Sequence, residues 1–300
     1  MQKIGMLLGD SIKGVFGHPA ALERALREHG DISIDLTPKH DVDATSVIRW
    51  HELGENAHPH RRARGWVMGW HRNGSIWESY DHHSSNLESI MVEDSEDHWG
   101  CDIRVVEALS ASKSELKDYP TLDAFAEGSC KIFIQDETDE GLAKNLNWSE
   151  IRIIHREKTS DHFRHYAWDG RVLLINSGGS HHFIAARYIA GKLGVPVPLT
   201  GRLSEFNLSH KAVQGLCEEF DMYPIKNCSH LFGDMMDALR SFDAAFCLMK
   251  LPRPLSDSRV FMLPKDESRS VQASKFLAKA GLIELGAHLQ ELCDKQKFIL

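Results

Sequence analysis

The stretch Arg171-Val-Leu-Leu-Ile-Asn-Ser-Gly-Gly-Ser-His-His-Phe-Ile-Ala-Ala-Arg-Tyr-Ile-Ala-Gly191 decides how this chain folds. Residues 172–175 form a short apolar run of the kind found in buried strands. Gly178 and Gly179 follow, and two adjacent glycines let the backbone turn and approach another group without a Cβ in the way. Residues 183–190 are apolar almost all round, so they read as a helix packed on more than one side. Ser180 stands at the N-cap position, with His181 and His182 in the first turn. A helix start presents free backbone N–H groups and the positive end of its dipole, so a strand, a glycine turn and a helix start together make an anion site. The plainer reading of the same residues is a tight connection with two polar capping histidines. Arg187 lies more than a turn deeper and reads as a structural ion-pair partner.

Working outward, residues 19–29 read as a helix with Pro19 in its first turn. Residues 32–36 alternate like a strand, and 65–72 and 75–80 form a hairpin about Asn73-Gly74. Residues 84–100 are acidic and polar and read as a loop, with short strands at 103–106 and 131–135. The acidic segment 136–150 divides an amino-terminal α/β region, 1–147, from a region 148–300. In the latter, 151–155 reads as a strand, and 165–168 pairs with 171–175 across the turn Asp169-Gly170. Gly194 suits a helix stop, and 195–199, with two prolines, fits an edge strand. Helices follow at 209–220, capped by Ser209, at 233–248, and at 270–295 with a break near Gly281 or Gly286. A strand fits 259–263. The fold class is α/β: a mixed sheet, a strand–glycine loop–helix element, and further helices at the carboxy terminus.

The 300 residues are 42% apolar and 26% charged, which is the balance of a folded globular protein. A net charge of −8 weighs against a protein that coats nucleic acid through its overall field. The six cysteines, Cys101, Cys130, Cys217, Cys228, Cys247 and Cys293, form no C-x-x-C and read as reduced thiols. Met1–Asp10 is too short and too weakly apolar for a secretion signal. No run approaches the roughly 20 apolar residues that span a bilayer. These features point to the cytoplasm and to no membrane partner.

Gly179-Ser-His-His-Phe-Ile-Ala-Ala186, with Ala190-Gly191 and Val195-Pro-Val197, resembles the phosphate-binding box of the ParB/sulfiredoxin superfamily. That resemblance implies a box that cradles nucleotide phosphates, with Gly179, Ser180, His181 and His182 on the phosphate oxygens. The box's usual arginine is His182 here. Sulfiredoxin's cysteine would fall at Ser180, so the resemblance does not extend to sulfinic-acid reduction. Glu205-Phe-Asn207 is the nearest counterpart to a second, Glu-Asn box.

A second cluster, 156–165, places Asp161 beside His162 among Arg156, Lys158 and Arg164. Asp161 and His162 form a candidate catalytic pair, with His181 as a third candidate. Ion pairs in a solvated turn are the simpler account of 156–165. Around His58, His60, His71, Asp81, His82 and His83 the side chains suit a transition metal, but the spacing fits no standard zinc module. His60-Arg-Arg-Ala-Arg64 is a short basic patch. Gly-x-Ser-x-Gly, the P-loop pattern and Gly-x-Gly-x-x-Gly are all missing from the sequence.

The leading expectation is a protein that binds a nucleoside triphosphate with Mg²⁺, or another phosphorylated small molecule, through Asn176, Gly178, Gly179, Ser180, His181 and His182. It would hydrolyse or transfer a phosphoryl group as an NTPase or phosphotransferase. The alternatives are a nucleic-acid-binding protein or nuclease on the same scaffold, and a non-enzymatic interaction protein of phage or phage defence.

Overall fold

The structure is a computed structural model that describes residues 19–300 apart from 31, 56, 62 and 227. Met1–Asp10 and Arg62 of the basic patch lie outside the described residues. In chain order, helix α1 (Ala20–His29) precedes strands β1 (Trp66–Asn73) and β2 (Ile76–His83), then α2 (Ser85–Glu88), β3 (Met91–Asp102) and β4 (Val106–Leu109). Helices α3 (Leu122–Ser129), α4 (Asp139–Leu146) and α5 (Arg152–His155) lead to β5 (His162–Tyr166), β6 (Val172–Ile175), α6 (Ser180–Leu193) and β7 (Pro198–Leu208). The chain continues through α7 (His210–Glu219), β8 (Phe220–Ile225), α8 (Ser229–Ser241), β9 (Phe246–Lys250) and β10 (Arg259–Pro264), and then α9 (Ser268–Lys279) and α10 (Leu285–Asp294). The protein is thus α/β, with two five-stranded sheets.

Two compact units form, each from separate segments of chain. One takes residues up to 36, 49–91 and 208–294; the other takes 37–48, 92–207 and 295–300. The segment 136–150 carries α4 and lies inside the second unit.

The first unit holds an antiparallel sheet in the order β2-β1-β9-β10-β8. Asn73 pairs with Ile76, which leaves a two-residue turn in which Gly74 has φ 61°, the positive φ that such hairpin turns require. Leu22, Tyr223, Phe246, Phe261 and Leu277 lie in its core. Residues 32–36 bury Ile32, Ile34 and Leu36 but form no strand. Their alternation reports which side chains point inward.

The second unit holds a mixed sheet in the order β3-β7-β5-β6-β4. Strand β7 runs parallel to β5, β5 antiparallel to β6, and β6 parallel to β4. The β5–β6 hairpin turns at Asp169-Gly170, with Gly170 at φ 80°. Helix α6 packs against α3 and α4. Phe183, Ile184, Ala185, Ala186, Ile189 and Ala190 are all buried. Burying Phe183, Ile184 and Ile189 stabilises this arrangement by about 1.5–3 kcal/mol each. Arg187 donates to Asp123 at 2.5 Å and to the Val106 carbonyl at 2.8 Å, so it ties α6 to α3 and β4.

Several expected elements take another form. Residues 84–100 carry α2 and most of the long strand β3, which is almost wholly exposed at a sheet edge. Its charges are those of an edge strand protected against stray pairing, and they erase the alternation by which a strand is read. Residues 131–135 form a turn that closes on the Cys130 carbonyl, with Ile132 exposed. Residues 152–155 are a single helical turn, α5; burial of Ile151 and Ile153 mimics a strand because a run this short fits both periods. Residues 103–105 are 3₁₀, and β4 starts at Val106. Strand β7 lies inside its sheet and not at the edge; Pro198 is its first residue, a place that tolerates a missing N–H. The helix expected at 233–248 gives way to β9 after α8, through Asp243 at φ 59°. The break between α9 and α10 comes at Gly281, φ 85°.

Two glycines bound α6. Both have φ 70°, but a Cβ on Gly179 would lie 2.5 Å from the Glu150 carbonyl oxygen, whereas a Cβ on Gly194 would meet nothing within 4 Å. Gly194→Ala should therefore cost only the left-handed backbone penalty, about 1–2 kcal/mol. Gly179→Ala should cost clearly more, because backbone must move as well. Chemical denaturation of the two variants checks this, and equal losses would contradict it.

Candidate functional site

The cradle is built where β6 hands over to α6. Asn176 is buried and fully engaged. Its Oδ1 accepts from the backbone N–H groups of Ser110 and Ala111 at 3.2 and 3.1 Å, and its Nδ2 donates to the carbonyls of Ala111 and Gly178. It therefore fixes the loop to residues 110–111 and does not line the cavity. Ser177 is held by Asp161, whose Oδ1 accepts from the Ser177 backbone N–H at 3.0 Å and from its hydroxyl at 2.6 Å. Arg152 reaches the same hydroxyl at 2.5 Å. Gly179 is the N-cap residue of α6, and no side chain caps the helix. Ser180 is the first helical residue and not the N-cap; its hydroxyl donates to Ser112 at 3.2 Å. The left-handed backbone at Gly179 makes the turn and leaves no place for a capping side chain before Ser180.

The uncapped start of α6 faces a cavity of about 1030 Å³. Ser112, Lys113 and Ser114 line one side, and Phe133 and Trp148 another, with Glu150 and residues 177–182 between them. The tryptophan is 47% exposed, unusual for so large an apolar ring.

His181 and His182 diverge, as adjacent helical residues do. His181 Nε2 lies 2.9 Å from the Ser114 hydroxyl, and its ring sits near Phe125 and Phe133. His182 Nδ1 lies 2.9 Å from Asn145 Oδ1, and its ring stacks on Trp148 at 4.4 Å. The Asn145 amide is oriented by its Nδ2, which donates to the carbonyls of Phe133 and Gly141. Its Oδ1 must then accept, so His182 carries its proton on Nδ1. Burial pushes the pKa of His181 down, helped by Lys113; burial does the same to His182, helped by His181 and Lys144. Both shifts favour the uncharged imidazole, and Lys113 is the lysine among the residues that line the cavity.

The other catalytic candidates lie elsewhere. Asp161 and His162 line a separate cavity of about 570 Å³ with Asp97, His98, Arg156 and Arg202. Asp161 reaches the cradle only from behind, through Ser177. His162 Nδ1 bonds to the Ser160 carbonyl at 2.8 Å, and burial depresses its pKa, with Arg164 and Arg202 adding to the effect. Glu205 is buried against His165 at 2.8 Å and accepts from the backbone N–H of Ile299, so it is a structural group. In the histidine-rich segment His58 and Arg61 both engage Asp81, and Arg64 engages Glu55. Among the described residues no three His, Cys, Asp or Glu side chains come together to hold a metal. The six cysteines are all unpaired with one another. No helix among the described residues is long and apolar enough to cross a membrane.

Sequence reading missed Ser112, Lys113, Ser114, Asn145 and Trp148. The hydroxyl-rich run Ser110-Ala-Ser-Lys-Ser114 was the one available signal, and nothing in its spacing ties it to His181. The depressed histidine pKa values fix a pH response. The unfolded chain takes up protons near pH 6.5 while the folded protein resists, so stability is full above that value and is lost as pH falls below it. Unfolding at pH 7.5 and 5.5 should show this loss, and His182→Phe should reduce it. An unchanged difference in the variant would contradict the neutral assignment.

No curated protein and no solved structure matches this chain. The model of a family of unknown function, DUF6685, matches residues 96–300, a span that includes every residue of the cradle and its cavity. The chain belongs to that family.

Proposed function

We propose that this protein binds a phosphorylated small molecule, a nucleotide being the class that suits both halves of the cavity. The carrying observation is the uncapped start of α6, open to a cavity that offers Lys113 and serine hydroxyls on one side and an exposed tryptophan on another. Backbone N–H groups of Ser180–His182 would meet the phosphate oxygens, and Trp148 would carry a flat ring by stacking. Small-molecule sites measure about 300–1,000 Å³, so the space is adequate. The resemblance of residues 179–197 to the ParB/sulfiredoxin box supports the same reading.

The chemistry proposed is hydrolysis or transfer of a phosphoryl group. Such reactions ask a protein mainly for positioning and charge neutralisation. Glu150 is the one carboxylate among the lining residues, and its bond to Arg152, with Arg156 nearby, holds its pKa low. A Mg²⁺ ion here would be carried mainly by the ligand's own phosphates, with Glu150 the carboxylate that lines the cavity. A nucleic-acid reading is less well supported, since Arg61 and Arg64 of the basic patch are each engaged by a carboxylate.

Thermal shift with ATP, CTP, GTP, UTP and inorganic phosphate, each with and without Mg²⁺, tests the reading. A nucleotide at 100 times its Kd should stabilise the fold by about 2.7 kcal/mol. Trp148→Ala should weaken that binding by about 1–3 kcal/mol, the worth of one stacked base, and Lys113→Ala should weaken it as well. No shift with any of these at millimolar concentration would sink the reading.

A further inference from the structure

The contact between Ser114 and His181 is the arrangement by which a hydroxyl becomes a nucleophile. Ser114 Oγ lies 2.9 Å from His181 Nε2, and both residues line the large cavity. A serine hydroxyl needs an adjacent base within such a distance, and the base needs a third group to orient it. The third group is Ser180: its Oγ is 3.5 Å from His181 Nδ1 and donates its own proton to Ser112 Oγ at 3.2 Å. The Ser180 oxygen is thereby free to accept from Nδ1–H, which leaves the Nε2 lone pair turned toward Ser114. The ring centroids of Phe125 and Phe133 lie 5.5 and 6.3 Å from that of the imidazole. Burial, with Lys113 close by, keeps that imidazole in the neutral form a base requires. The uncapped N–H groups at the start of α6 border the same cavity and would stabilise oxygen charge as it develops.

We propose that Ser114 is a nucleophile, activated by His181, that takes a phosphoryl group from the ligand bound in this cavity; the proposal rests on the phosphate-binding reading above. In the first step Ser114 Oγ bonds to phosphorus, and its proton passes to His181 Nε2. The bond from phosphorus to the bridging oxygen breaks, and that oxygen leaves with the proton from His181. In the second step a water attacks the phosphoserine and gives its proton to His181. The P–Oγ bond breaks, Ser114 recovers a proton from His181, and inorganic phosphate departs. No oxidant or reductant is needed.

A fluorophosphonate probe reads the first half of this cycle directly. Oγ bonds to phosphorus, the P–F bond breaks, fluoride leaves, and the proton goes to His181. Intact-mass measurement followed by peptide mapping of the full chain should find one adduct, on Ser114. Ser114→Ala should abolish it, and Ser114→Cys, with a nucleophile in the same place, should restore labelling at that position. His181→Gln should slow labelling about 100-fold or more, the usual worth of a positioned base. Melting temperatures of all variants separate loss of reactivity from loss of fold. No adduct on folded wild-type protein, an adduct on Ser112, Ser177 or Ser180 in place of Ser114, or an unchanged rate in His181→Gln would each overturn the proposal. The nucleotide melting shifts keep the two readings apart. A shift without labelling leaves the binding site and removes the nucleophile; labelling without a shift leaves an activated serine and removes the nucleotide.

Discussion

Gly179 rests its α-carbon against the backbone of Glu150 and Ile151 at a distance that excludes any side chain, with φ in the left-handed region. From this contact the rest of the second unit takes its form. It turns the chain out of β6 sharply enough for α6 to lie between α3 and α4, and it sets Ser180 as the first helical residue. It also removes the residue that would ordinarily cap the helix, so the N–H groups open on a cavity. In the sequence the two glycines read as room for another group to approach the backbone. At Gly179 that room is taken up by the protein's own chain, the backbone of Glu150 and Ile151.

Charge in the cavity is distributed otherwise than the sequence suggests. Two histidines at a helix start look like cations for an anion, yet a helix dipole and a partly buried position both disfavour a second positive charge there. Here burial favours the uncharged rings, and each makes a directed bond, one to a serine hydroxyl and one to an asparagine carbonyl. Positive character comes from Lys113 and from peptide dipoles. Such a wall exerts its force at short range through directed bonds, so it discriminates by geometry more than by net charge.

What could be read from the sequence is what depends on neighbours along the chain. The turn at Asp169-Gly170, the length of α6, Ser209 as the cap of α7, and the stop at Gly194 each rest on turn or cap chemistry within a few residues, although the strand expected at 165–168 is β5, His162–Tyr166. Arg187 as a structural partner also followed, from its depth in the helix. The failures share a cause as well. Strand β3 exists because β7 lies beside it, and α5 exists because Ile151 and Ile153 have a core to enter. The cavity wall was illegible for the same reason. Ser114 stands 67 residues from His181, and Asn145 stands 37 from His182. Asn176 reads from sequence as a ligand-binding residue and Asp161 as one of a catalytic pair, but whether such groups face a ligand or brace a loop is decided by partners that the local pattern does not contain.

The loop from Asn176 to Gly179 is pinned by residues 110–111, by Glu150 and Arg152, and by Asp161, three separate segments of the chain. A nascent or partly unfolded chain therefore holds the glycine–histidine sequence without holding the cradle. The cradle is therefore a property of the folded unit and not of the glycine–histidine sequence by itself.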